Sequence, residues 1–77
     1  MEIQLLSFGK IAEIITVKHV NIEGISDTDG LKSHLEAQFP ELKNVKYKLA
    51  VNKLIVQSNT SLTHHATVAI MPPFSGG

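Results

Sequence analysis

One helical stripe, closed by a proline and bracketed by segments of period two, sets what this chain can fold into. Leu31, Leu35 and Phe39 recur at i, i+4 and i+8 and so share one face of a helix. Ser26 and Asp27 are candidate N-caps, Asp29 follows Ser26 by three residues, and Pro40 predicts an end near Gln38. Gly30, in the first turn, costs about 1 kcal/mol relative to alanine, so that turn is expected to depend on tertiary packing. On the N-terminal side, Ile3 and Leu5 alternate with Glu2 and Gln4 until Gly9-Lys10, which predicts a strand over residues 2 to 8. Residues 11 to 15 suffice for a turn or two of helix, and residues 16 to 23, with Val20 and Ile22 on one face, read as a second strand. Beyond the stripe, Tyr47, Leu49 and Val51 alternate within residues 46 to 51. Asn52-Lys53 marks a tight turn into Leu54-Ile55-Val56, and a polar loop over residues 57 to 65 precedes a last strand over 67 to 71. A single amphipathic helix among five strands buries itself by crossing one face of one sheet, giving an α+β two-layer domain.

A chain of 77 residues supports one core, because a fold this small buries only about 60% of its unfolded surface. An enclosed active site of its own is not expected. Seven basic and seven acidic residues cancel, and the lysines are scattered from Lys10 to Lys53, which argues against nucleic acid or an anionic membrane as partner. With no cysteine, thiolate metal sites, disulfides and a cysteine nucleophile are excluded, while the redox compartment stays open. The sequence starting at Met1 shows neither a basic segment followed by a long apolar run nor the ~20 apolar residues of a membrane span. The expectation is a soluble, cytoplasmic protein.

The chain divides into a body over residues 1–71 and a tail over residues 72–77, Pro72-Pro73-Phe74-Ser75-Gly76-Gly77. Two prolines fix φ near −65° and supply no N–H, so the chain is expected to leave the sheet extended and stiff. Gly76 and Gly77 lack side chains and can thread a channel that any Cβ would block. The Gly77 carboxylate is inert toward nucleophiles until one oxygen becomes a leaving group, which adenylation by a partner achieves. A glycine pair alone is weak grounds, since it ends roughly one chain in two hundred by chance.

The longer run Val68-Ala69-Ile70-Met71-Pro72-Pro73-Phe74-Ser75-Gly76-Gly77 resembles the C-terminal signature of the small molybdopterin synthase subunits, the MoaD family. The likeness extends to Leu5-Leu6-Ser7-Phe8-Gly9-Lys10-Ile11-Ala12-Glu13, to His34-Leu35-Glu36-Ala37-Gln38 and to Ala50-Val51-Asn52. It implies a β-grasp, ubiquitin-like fold and a sulfur-carrying role. In that role an adenylating enzyme activates Gly77 with ATP, a sulfur donor converts it to a thiocarboxylate, and the tail enters the large synthase subunit. There the sulfur passes to cyclic pyranopterin monophosphate to build the molybdopterin dithiolene. The resemblance further implies a heterotetramer of two small and two large subunits. Catalytic side chains are expected on the large subunit, ATP is used by the activating partner, and no cofactor is held permanently.

Strand parity gives a separate handle on contact surfaces. Ile3, Leu5, Val68 and Ile70 should face the helix, leaving Leu6, Phe8, Ile55 and Met71 on the opposite side. Phe8, Ile55 and Met71 are assigned to partner contact, together with the tail residues Pro72, Pro73, Phe74, Ser75 and Gly76. Adjacent His64 and His65 should point apart on an extended segment, which disfavours a metal site. His64-His65-Ala66 stands where the resembled family has Asp-Gly-Asp, and losing the glycine implies a different turn. His19 and His34 read as solvated, and Ser75 has no neighbouring base to make it a nucleophile. The isolated tail is expected to be loose, because ordering costs about 1 to 2 kcal/mol per residue. Three other functions remain open: a thiamin-pathway sulfur carrier, which commonly lacks the double proline, a ubiquitin-like protein modifier joined through Gly77, and a binding domain with an incidental tail.

Overall fold

In the computed structural model, which describes residues 1–72, the alternating segments become five strands of one mixed sheet. Strand β1 (Glu2–Ser7) leads into a short helix α1 (Lys10–Ile14), then β2 (His19–Asn21), the main helix α2 (Thr28–Gln38) and a 3-10 helix (Pro40–Asn44). Strands β3 (Lys48–Val51), β4 (Leu54–Val56) and β5 (Thr67–Met71) complete the chain. The sheet order is β2-β1-β5-β3-β4. Strand β5 lies in the middle, parallel to β1 and antiparallel to β3, while β1–β2 and β3–β4 are antiparallel pairs. This arrangement is the expected β-grasp.

The core follows the parity of the sequence. Ile3, Leu5, Val68 and Ile70 are buried together with Leu31 and Leu35 of α2, and Ile11, Ile15, Ile22, Leu42 and Leu62 seal the ends of the layer. Fully burying side chains of this size contributes about 1.5–3 kcal/mol each. Phe39 caps α2 at its C-terminus and packs, half-buried, against this cluster.

Several local features differ from the sequence reading. Strand β2 is short, because after the Lys18 carbonyl accepts the Leu5 amide at 2.7 Å the preceding residues no longer pair with β1. Strand β3 begins at Lys48 rather than Lys46, and Tyr47 donates its hydroxyl to Glu36 Oε2 on α2. Burial, and then this bond and the Glu36 charge, hold the Tyr47 phenol well above its ordinary value. The 3-10 turn after Pro40 has no counterpart in the sequence reading, yet it places Leu42 wholly inside.

Asp27, not Ser26, caps α2: its Oδ1 accepts the Gly30 amide at 2.9 Å. Gly30 has a steric reason to be there, since a Cβ would lie 2.9 Å from Ile25 Cγ2 and 3.0 Å from Asp27 Oδ1. The expected Asn52-Lys53 turn forms with φ of 50° and 76° at its two residues.

Candidate functional site at the outer sheet face

The sheet face turned away from α2 carries a row that crosses four strands. Leu6 on β1 pairs with Ala69 on β5, Ala69 with Ala50 on β3, and Ala50 with Ile55 on β4. One step toward the end of β5 stand Phe8, Met71 and Lys48, the last two paired across β3 and β5. Leu6, Phe8 and Ile55 are each 49% exposed, and Met71 is half-buried. The two inner strands contribute only alanines to the main row, so the flanking side chains of Leu6 and Ile55 stand above its middle. Lysine's four-carbon stem lets Lys48 extend the apolar area while keeping its charge in water.

The three body residues expected at a contact, Phe8, Ile55 and Met71, therefore share one face, with Phe8 and Met71 at the end where the tail begins. Leu6, on this side by parity and outside the expected contact set, is as exposed as Phe8 and Ile55. Its signal was the same alternation that located them. Ala50 and Ala69 escape a search for large apolar side chains, because their role is to keep the middle of the face low. Pro72 is exposed, whereas Pro73, Phe74, Ser75, Gly76 and Gly77 lie outside the described residues.

The root of the tail is firmly held. Strand β5 pairs on both sides through Ser7↔Ile70 and Lys48↔Met71, and the Phe8 amide donates to the Ile70 carbonyl at 3.2 Å. Whatever follows Met71 therefore starts from an interior strand, adjoining the apolar face. Interior strands have their backbone groups paired on both edges, which makes them poor places for local opening.

The opposite end of the face is polar. His19 and His65 flank the Glu2 carboxylate with Nδ1 at 4.0 and 3.8 Å from its oxygens, and His64 Nδ1 accepts the Glu2 amide at 3.1 Å. His65 takes a left-handed φ of 68°, and one expectation is corrected here. The same geometry brings the His64 and His65 rings together, with centroids 3.8 Å apart, rather than pointing them apart. Among the described residues no group of three or more His, Cys, Asp or Glu is arranged to hold a metal ion, and no helix is long and apolar enough to cross a membrane.

Comparison with known proteins agrees with this architecture. The ThiS family model matches residues 5–77. Among solved structures, a putative molybdopterin converting factor subunit 1 from Pyrococcus furiosus superposes with a TM-score of 0.82 at 14% identity, over 95% of this chain and 98% of that one. The small archaeal modifier protein 1 of Haloferax volcanii covers 100% of both chains with a TM-score of 0.76 at 17% identity. The modifier of the same name from Methanosarcina acetivorans gives 0.78 at 19% identity, over 99% of this chain and 96% of its own. At these identities the three structures establish a shared ubiquitin-like β-grasp fold.

Proposed function

We propose that this chain, which belongs to the ThiS family, is a sulfur carrier that delivers sulfur through the Gly77 carboxyl group during molybdopterin synthesis. The observation that carries this reading is an apolar sheet face, holding Phe8 and Met71, beside the rigid root of a Pro-Pro-Phe-Ser-Gly-Gly tail. A macromolecule docked on that face receives the tail in a fixed place. The chain has no cysteine nucleophile, which suits a carrier whose chemistry is done inside its partners.

A Gly77 carboxylate oxygen attacks the α-phosphorus of ATP in the activating enzyme, pyrophosphate departs, and the acyl-adenylate forms. A sulfur nucleophile then attacks the carbonyl carbon and AMP leaves with the bonding pair. Hydrosulfide gives the thiocarboxylate directly; a persulfide gives an acyl disulfide, which a thiol reduces to the same product. In the large synthase subunit the thiocarboxylate sulfur attacks a side-chain carbon of the pterin precursor, an oxygen substituent leaves that carbon with the bonding pair, and water cleaves the resulting thioester, restoring the carboxylate and leaving the sulfur on the pterin. Each tail supplies one sulfur, so a dithiolene consumes two charged carriers. No cofactor resides on the carrier, and ATP belongs to the activating partner.

Phe8, Ile55, Met71, Pro72 and Leu6 contact the partners in this scheme, and Pro73, Phe74, Ser75 and Gly76 thread the partner's channel. A thiamin-pathway carrier or a protein modifier would use the same activated carboxyl group and differ only in the acceptor. Reconstitution separates them. The charged chain, mixed with large subunit and cyclic pyranopterin monophosphate, is expected to yield the dithiolene product. Transfer of its sulfur to thiazole synthase instead, or capture of Gly77 in isopeptide bonds to lysines, would contradict the molybdopterin assignment.

A further inference from the structure

Strands β1 and β5 run side by side to a common end, where the Phe8 amide meets the Ile70 carbonyl at 3.2 Å. Immediately beyond stand Gly9 and Pro72. Gly9 turns the chain into α1 with φ 58° and ψ −135°, a conformation open essentially only to glycine. It is held from both sides, since its carbonyl accepts the Ala12 amide at 3.1 Å, the Phe8 carbonyl accepts the Ile11 amide at 3.1 Å, and Ile11 is buried in the core. A Cβ on Gly9 would lie 3.3 Å from Pro72 Cγ and 3.8 Å from Pro72 Cδ. The proline ring thus rests on the bare α-carbon of a residue that cannot move away.

We propose that Gly9 is a positioning residue for the tail: its bare face seats the Pro72 ring and so sets the direction in which the chain leaves the sheet. The inference rests on reading the tail as the working segment. An alanine at position 9 requires Pro72 to give by a few tenths of an ångström. The ring fixes φ at Pro72, and a proline following in sequence confines residue 72 to extended backbone, so the displacement is passed on toward the tail instead of being absorbed at once. Transfer rates are sensitive to such errors because a misplacement of about 1 Å can cost about 100-fold.

The cysteine-free sequence permits a direct test, because Ser75→Cys accepts a single nitroxide label. Broadening of body amides by that label reports the direction of the tail without activation or sulfur. With Gly9 and Pro72 in place, broadening is expected on one side of the Phe8–Met71 end. Gly9→Ala moves that pattern. Pro72→Ala removes the ring while Pro73 keeps residue 72 extended; it evens the pattern out, and on this background Gly9→Ala adds nothing. An unchanged pattern in Pro72→Ala, or an equal shift from Gly9→Ala with and without the ring, overturns the proposal. Denaturant unfolding supplies the contrast, since the positive φ makes Gly9→Ala lower the midpoint on both backgrounds. Loss of stability without a ring-dependent change in broadening marks Gly9 as merely structural and also overturns it. In the charging reaction Gly9→Ala is expected to lower kcat/KM about tenfold, consistent with a sub-ångström displacement. A chain that is never charged but shows the ring-dependent label pattern retains the seat and refutes the carrier reading alone.

Discussion

Asn59 Oδ1 accepts the backbone amide of Asp29 at 2.9 Å, which ties the loop before β5 to the first turn of α2. The same amide group receives the Thr28 hydroxyl at 3.3 Å and donates through Nδ2 to Asp27 Oδ2 at 3.1 Å. One side chain thereby serves the cap residue and the first two residues of the helix. Two of these three bonds are exposed and one is part-buried, so Asn59→Ala is expected to cost about 0.5–1.5 kcal/mol, the usual net worth of a hydrogen bond, as read from urea unfolding. A midpoint equal to that of the unmodified chain would show that water replaces the network without loss.

Acid sensitivity follows from the same cluster. The Gly30 amide, and then the Asn59 amide, hold the Asp27 carboxyl below its ordinary value, against a smaller opposing effect of burial. A carboxyl depressed in the folded state contributes stability that is full above the ordinary aspartate pKa and is lost as pH falls through the folded value. Asp27→Asn keeps an acceptor for Gly30 but does not titrate. Its unfolding midpoint is therefore expected to fall less steeply below pH ~4 than that of the unmodified chain. Parallel acid profiles would contradict the cap geometry.

Helix propensity makes the wrong forecast at Gly30. Alanine is the better helix former by about 1 kcal/mol, yet its Cβ would press on the branched Ile25 side chain and on the oxygen that caps the helix. Gly30→Ala is expected to lower stability by about 1–3 kcal/mol, the usual range for overpacking. Thermal unfolding checks the sign, and a raised Tm would refute the contact.

His65 tests the turn that leads into β5. Its φ of 68° is strained for a side chain of this size, so His65→Gly is expected to raise stability by about 1 kcal/mol despite the lost packing against His64. Lower stability in this variant would show that the ring pair and the neighbouring Glu2 carboxylate outweigh the backbone strain.

How far the sequence reveals this molecule depends on how local the cause is. The inward set of Ile3, Leu5, Val68 and Ile70 and the outward set of Leu6, Phe8, Ile55 and Met71 follow from alternation alone, and the structure retains both. The end of α2 was legible because Pro40 acts on its immediate neighbours. The 3-10 turn holding Leu42 was not, since five residues carry no repeating pattern. The crowding at Gly30, the seat of Pro72 on Gly9 and the pairing of His64 with His65 all depend on contacts or dihedrals that no period encodes. At the candidate site, the large apolar residues were visible, while the alanines that keep the middle of the face low were not.

The outer face provides a test that separates folding from docking. Ile55 is half exposed on β4, so Ile55→Asp is expected to change stability by no more than about 0.5 kcal/mol. In the proposed complex it would place a charge at the β4 flank of an apolar contact and cost about 2 kcal/mol or more of binding to the large subunit. Calorimetric titration with unchanged affinity would remove this face from the docking surface.

The central claim, that the Gly77 carboxyl group is the working group, is tested most directly by intact mass. The chain is incubated with its activating enzyme, ATP and a sulfur donor, and the C-terminal fragment is then weighed. The account predicts replacement of one oxygen by sulfur, confined to the fragment holding Gly77 and dependent on ATP. A mass that stays the same in the presence of an activating enzyme shown to charge another carrier would contradict it.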